Sequence, residues 1–374
     1  EESDEEDPEE SMQGGRTSAR HIKWPVQEVL SRTQVVKQIV DDLLQLMQES
    51  LSESFMPVLQ PGIGVGSTFE GWSPYEPDDV IYHVLVPLKP PTGHTFHLQW
   101  GTRGSMPAKH SYILVEVECT CEIQNMPCSV HHSRKHPKRM KQAPSLLDTL
   151  CTNSYLDVEK IAEWFQCLAK EAWVALPQAH YYEMKVLPYS QRSCPMKLKS
   201  AYKKSTLFIE ILFGVQQGVS DIFLSSQSTG GTNTPSTLWI KNYLVAEGKF
   251  FSHVARQVPH GSFHLKCLHL CTSILDNTNF TPYMFKTVVM HLLNTKPMSG
   301  WCRRECVMRL VDILKYLHCC LEQKKLNFFF GNGKMPQEII LPPDFHTSEP
   351  HNLLHHLVQS PAAHAEALRQ FEKI

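Results

Sequence analysis

Gly66 and Ser67 stand shortly before three acids, Glu76, Asp78 and Asp79, which lead into the apolar run Val80-Ile81-Tyr82-His83-Val84-Leu85-Val86. A Gly-Ser turn can offer backbone N–H groups and a hydroxyl to phosphate oxygens. Two carboxylates at n and n+2 of a strand share one face and can hold divalent metal there. The chemistry this suggests is metal-assisted transfer from a nucleoside triphosphate, completed by a third acid on a neighbouring strand. Glu210, inside Leu207-Phe208-Ile209-Glu210-Ile211-Leu212, is the candidate third acid, since a carboxylate in an apolar strand is costly unless used. The alternation of Leu207, Ile209 and Ile211 equally fits a Glu210 on the strand's wet face.

Two registers are open for the pair. Counted forward from Ser67, Glu76 and Asp78 form an acid-Pro-acid pair. Counted back from Val86-Pro87, taken as the strand end, Asp79 holds the second acid position and Pro77 the first. Loop lengths vary more than strand lengths, so the strand-end register is preferred. Pro77 cannot ligate a metal, and the pair is then broken. Glu76, Asp78, Asp79 and Glu210 are therefore vestigial catalytic candidates, with Gly66 and Ser67 as candidates for nucleotide binding. A solvated turn before the strand, and a tight turn built by Gly62, Gly64 and Gly66, are the ordinary alternatives.

Cys119, Cys121, Cys128, His131 and His132 offer five soft or borderline ligands, as C-x-C-x6-C-x2-H-H. Zinc is one use for them; the usual structural knuckle is C-x2-C, and core thiols beside a loop are the competing assignment. Two basic stretches follow: Arg134, Lys135, His136, Lys138, Arg139 and Lys141, then Lys197, Lys199, Lys203 and Lys204. The first has no interleaved aromatics to stack on bases, and no specific nucleic-acid partner is expected. Despite twenty histidines, no Ser-His-Asp or Cys-His set can be assigned from spacing.

The elements that must position these residues are legible in outline. Residues 26–53 carry a helical stripe, and Asp157 caps a second helix with Val158, Ile161, Trp164, Phe165 and Leu168 on its apolar face. Strand patterns run over 80–86, 96–100, 111–118, 181–187, 196–202, 207–213 and 220–226. Gly230–Pro235 is a linker, and beyond it the pattern is helical over 237–256, 262–276, 281–294, 300–325 and two short stretches within 350–373. In the 300–325 helix, Trp301, Val307, Leu310, Val311, Leu314 and Leu317 are expected in the core; Phe328-Phe329-Phe330 is expected as a buried turn.

The chain has 374 residues, enough for two lobes, and a net charge of −2. Eight acids fall in residues 1–10, so the rest of the chain carries +6; a run this acidic with no apolar residue is expected to be disordered. No stretch approaches the ~20 apolar residues of a membrane span. The twelve cysteines, many at helical spacing, suggest reduced thiols in the cytosol rather than a disulfide framework.

The motif Gly62-Ile63-Gly64-Val65-Gly66-Ser67-Thr68-Phe69-Glu70-Gly71-Trp72 with Val84-Leu85-Val86-Pro87 resembles the inositol trisphosphate receptor-interacting protein-like family. Further matches are Glu118-Cys119-Thr120-Cys121 with Cys128 and His131-His132, His264-Leu265-Lys266-Cys267-Leu268, Phe285-Lys286-Thr287 with Met290-His291-Leu292-Leu293, Gly331-Asn332, and Glu349-Pro350-His351-Asn352-Leu353 with His355-His356-Leu357-Val358. The C-terminal motifs point to its like-1 branch. That family is similar to cyclic GMP-AMP synthase-like, Mab-type nucleotidyltransferases. The resemblance implies an α+β, bilobal nucleotidyltransferase-like fold: a mixed α/β lobe over 26–230 and an all-helical lobe over 231–374, following a spacer of 1–25, with the boundary near 228–237. It also implies a single-pass membrane protein whose N-terminal anchor lies outside these residues. The expected function is non-catalytic, by protein–protein interaction as modulator or ligand of a membrane receptor or channel. The alternative is an active nucleotidyltransferase using Mg²⁺ and NTP to make a second messenger.

Overall fold

The computed structural model describes residues 26–52, 54–73, 79–100, 110–118, 145–227, 234–258, 263–274, 278–330, 335–346 and 351–373. Outside them lie the acidic run and spacer 1–25, Glu76, Pro77 and Asp78, the whole Cys119, Cys121, Cys128, His131, His132 set with the basic stretch to Lys141, linker residues 228–233, Gly331-Asn332 and Glu349-Pro350.

The first part of the chain builds one sheet of twelve strands. In chain order they are β1 (Val58–Leu59), β2 (Ile63–Val65), β3 (Ile81–Lys89), β4 (His94–Trp100), β5 (His110–Val117), β6 (Cys151–Thr152), β7 (Tyr155–Leu156), β8 (Tyr182–Val186), β9 (Cys194–Ser200), β10 (Thr206–Gln216), β11 (Phe223–Ser225) and β12 (Trp239–Asn242). The spatial order is β1-β3-β10-β11-β12-β5-β7-β6, with β2 also on β3, β4 on β5, and β9 joining β8 to β10. Long β3 and β10 are parallel neighbours, with His83 opposite Glu210 and Ile81 opposite Phe208.

Alternation sorts the two faces of this sheet. Tyr82, Val84 and Val86 of β3, Met196 and Leu198 of β9, and Leu207, Ile209, Ile211 and Phe213 of β10 enter one core. Two helices cover it. Val26–Ser50 contributes Val36, Ile39, Val40, Leu43, Leu44 and Met47. Val158–Trp173 contributes Ile161, Phe165 and Ala169. Asp157 caps the second helix by accepting from the Glu159 and Lys160 backbone N–H groups, and also accepts from Ser236 and Thr152 hydroxyls. On the opposite face, Leu85 and Leu212 join Val65, Phe223 and Val245 in a small cluster where the helical lobe begins.

That lobe comprises helices Leu244–Gln257, Phe263–Ser273, Pro282–Thr295, Cys306–Gln323, His355–Gln359 and Pro361–Phe371. Its core gathers Phe250, Phe251, Phe285, Trp301, Leu321, Phe329 and Phe330, and takes in Trp72 from the first lobe. Phe328, Phe329 and Phe330 are all buried, and the Tyr243 ring packs 4.4 Å from that of Phe328.

The helix expected over 237–256 is not continuous. Trp239–Asn242 is strand β12, paired with β11 and β5, and the helix starts at Leu244. Asn242 makes the switch: its amide donates to Ser225 Oγ while its side-chain oxygen accepts from the Leu244 N–H. The 300–325 helix starts only at Cys306, after a turn at Met298–Gly300. Its core stripe is Ile313, Leu317, Cys320 and Leu321, so Val307, 70% exposed, and Val311, also exposed, face solvent rather than core.

Candidate functional site

Ile63-Gly64-Val65 runs antiparallel to β3, and the chain then turns at Gly66 into the four-residue helix Ser67–Glu70. Gly66 has φ +82° and ψ −177°, backbone that essentially only glycine adopts. A Cβ on Gly64 would lie 2.2 Å from the Phe69 ring. Gly64 is therefore required by packing and Gly66 by backbone conformation. Gly64→Ala must displace Phe69 and should cost about 1–3 kcal/mol. Gly66→Ala, with open space around its Cβ, should cost about 1–3 kcal/mol through backbone strain alone. Urea unfolding checks both, and only Gly64→Ala should also perturb the aromatic contact of Phe69 with Tyr82.

The turn faces His83: a Cβ on Gly66 would sit 3.9 Å from His83 Nδ1. His83 Nε2 is 3.3 Å from Glu210 Oε2, and Ser193 Oγ donates to Glu210 Oε1 at 2.7 Å. The His83 hydrogen bond, with that of Ser193, holds the Glu210 carboxyl below the usual carboxylate range against the opposing effect of burial. Glu210 thus lies on the face opposite the first core, half-buried and with both oxygens engaged.

The side chains of β3 that share this face and lie beside Glu210 are Ile81 and His83, with Leu85 farther along. Asp79, placed on the strand by the count back from Val86-Pro87, is an exposed turn residue two positions before β3. Val86-Pro87 is not the strand end either, because β3 continues through Pro87 to Lys89. Pro87 has no N–H to give the ladder, but its carbonyl accepts from the Gln60 N–H. Among the described residues, no group of three or more His, Cys, Asp or Glu side chains converges as a metal site.

A cavity of about 450 Å³ opens beside Glu210, lined by Tyr189, Ser190, Arg192, Ser193 and Gln227. Arg192 is no free anion ligand: its guanidinium donates to the carbonyls of Ser226, Pro235 and Leu238. Burial lowers its pKa. A larger cavity, about 840 Å³, lies behind the short helix between Lys37, Phe69, Asp221 and Lys249. Lys249 is paired with Asp221 at 2.7 Å.

The turn is tied to the helical lobe through buried charges that sequence reasoning missed. Lys286 Nζ lies 2.7 Å from Glu70 Oε1 and 2.5 Å from Glu247 Oε2. Trp72 Nε1 donates to Glu70 and the Tyr283 hydroxyl donates to Glu247. Burial raises the Glu70 pKa; the pKa of Lys286, which burial alone would lower, is held above its ordinary value by the two carboxylates. One signal was available. Helix Pro282–Thr295 is buried on nearly every side, so a lysine within it requires a counter-charge.

Residues 264–336, which hold three of the six described helices of the helical lobe, match the Mab-21 protein HhH/H2TH-like domain. The inositol 1,4,5-trisphosphate receptor-interacting protein-like 1 of Rattus norvegicus is 31% identical over 95% of this chain and 66% of its own length. The Mus musculus protein of that name is also 31% identical, over 95% and 66%. The inositol 1,4,5-trisphosphate receptor-interacting protein of Takifugu rubripes is 28% identical over 96% and 69%. This chain belongs to the inositol 1,4,5-trisphosphate receptor-interacting protein family. It spans just under two thirds of the like-1 relatives' length. The sheet-plus-helical-lobe architecture and the Mab-21 match make the fold nucleotidyltransferase-like, with two lobes. No helix of the described residues is long and apolar enough to cross a membrane.

Proposed function

We propose that this chain is a non-catalytic, nucleotidyltransferase-fold module that acts by binding a membrane receptor or channel. The observation that carries it is the occupancy of β3: Ile81 and His83 face Glu210 where an acid-x-acid pair would have to face it. A two-metal site needs several convergent carboxylates to offset the metal charge and fix geometry. His83 instead pairs with Glu210, the carboxylate on which such a site would depend. The partner is drawn from the relatives, whose names describe interaction with the inositol 1,4,5-trisphosphate receptor, a membrane channel. Membrane tethering, through a segment outside these residues, comes from the family resemblance.

Gly66 neighbours His83, which contacts Glu210, and this proximity supports a second reading: a Mg²⁺- and NTP-dependent transferase completed by Glu76 and Asp78.

The binding function is tested with purified chain and detergent-solubilised inositol 1,4,5-trisphosphate receptor on a biosensor. Saturable binding should be seen, at equal affinity with and without Mg²⁺ and ATP, and unchanged by His83→Ala. Failure to bind at micromolar concentrations would remove the receptor as partner; binding that requires ATP and Mg²⁺ would favour the nucleotide-dependent function.

A further inference from the structure

Two helices of the helical lobe bring thiols into contact away from the Glu210 site. Cys267 Sγ, on Phe263–Ser273, is 3.7 Å from Cys306 Sγ, the first residue of Cys306–Gln323. Cys267 is fully buried, whereas Cys306 is only partly buried, at the edge of the helical-lobe core. A helix N-terminus favours thiolate, and Lys266 lies near. The contact between the two thiols is the main cause lowering the Cys306 pKa to about 7, while the same contact and burial push Cys267 up. The less buried thiol is thus the more readily ionised, and the fully buried one touches it.

We propose that Cys306 is a site of thiol–disulfide exchange with a low-molecular-weight disulfide of the glutathione type, and that Cys267 resolves the adduct into a Cys267–Cys306 bridge. In the first step the Cys306 thiolate attacks one sulfur of glutathione disulfide. A mixed disulfide forms and glutathione thiolate leaves, to be protonated by water. In the second, Cys267 attacks the Cys306 sulfur and expels the second glutathione, whose departing thiolate takes up the Cys267 proton. Two protein thiols are oxidised to one disulfide and one glutathione disulfide is reduced to two thiols; no other oxidant enters. Closing the sulfurs to the ~2.05 Å of a disulfide requires side-chain rotation and a small helix shift. Burial of Cys267, which disfavours its thiolate, makes the second step the slow one.

The bridge would fix a helix that supports the Gly-Ser segment. On Phe263–Ser273, Leu265 lies against Gly71, with its Cδ1 3.3 Å from where a Gly71 Cβ would sit. On the same helix, His269 Nδ1 bonds the Ser73 carbonyl at 2.8 Å. Oxidation therefore joins the support of residues 71–73 covalently to the rest of the lobe.

The test equilibrates the full chain in glutathione buffers of rising oxidised fraction, then quenches, alkylates and maps cysteines by mass spectrometry, with Tm read on the same samples. The wild type should give a Cys267–Cys306 linked peptide and a higher Tm. Cys267→Ser should instead accumulate glutathione on Cys306. The proposal is overturned if Cys306 stays alkylatable when the exposed Cys319 is fully glutathionylated, if its adduct persists in the wild type without a bridge, or if it pairs with Cys302. Should Cys267→Ser not fold, the wild-type map and Tm decide alone.

Discussion

Lys286→Met should lower the unfolding free energy by about 3–5 kcal/mol, because it leaves Glu70 and Glu247 buried without their counter-charge. The ammonium is almost fully enclosed and touches both carboxylates, so water cannot replace it without opening the lobes. Glu70 follows directly from the Gly66-Ser67 turn, and Glu247 and Lys286 lie on two different helices of the second lobe. The loss should therefore appear in both lobes together. Urea denaturation followed by tryptophan fluorescence and by far-UV circular dichroism should give coincident, lowered midpoints. The triple variant Glu70→Gln, Glu247→Gln, Lys286→Met removes all three charges and should recover a large part of the loss. A Lys286→Met midpoint within error of wild type would show that the triad does not hold the lobes.

The second large effect is one of pH. Both ring nitrogens of His264 are buried without a hydrogen-bond partner, between the Phe251 ring and the edge of Trp301. Burial lowers its pKa from 6.5 to about 4. Below pH 6.5 the unfolded chain takes up a proton that the folded chain refuses until about pH 4. Stability is complete above 6.5, falls as pH drops through that window and levels off below it, a loss of about 3 kcal/mol from this group. His264→Phe should abolish that slope, and it removes two unsatisfied polar atoms, so little stability should be lost at pH 7. Asp157 adds acid sensitivity only lower: hydrogen bonds outweigh burial and hold its pKa below 3.8, so its contribution is lost as pH falls through that lowered value. Urea midpoints at pH 7 and pH 4.5 separate the two. Equal slopes for wild type and His264→Phe would contradict this account of His264.

How much of this was legible depended on the range of the interaction. The Val158–Trp173 helix announced itself because its cap and apolar stripe are local, and Asp157 does accept from the first-turn N–H groups. Strand β12 did not: its four residues sit against a helical pattern, and their conformation is set by partners on β11 and β5. Val307 and Val311 look like core in a periodicity count, yet the helix turns Ile313, Leu317 and Leu321 inward and leaves these two outside. The Gly66-Ser67 turn and Glu210 could be picked out by residue type. That His83 rather than an acid faces Glu210 could not, because it follows from the parallel register of β3 on β10. The Glu70–Lys286 contact joins residues 216 apart and is visible only once the lobes are packed.

The most direct test of the central claim is nucleotide turnover. Purified chain is incubated with ATP and GTP, with Mg²⁺ or Mn²⁺, with and without nucleic acid, and products are resolved by ion-exchange chromatography and mass spectrometry. Ile81 and His83, which face Glu210, carry no carboxylate that could hold the metal ions stabilising such a transfer. The account predicts no linear or cyclic product from wild type and no difference from Glu210→Ala. A product made by wild type and lost in Glu210→Ala would contradict it and make this protein an enzyme.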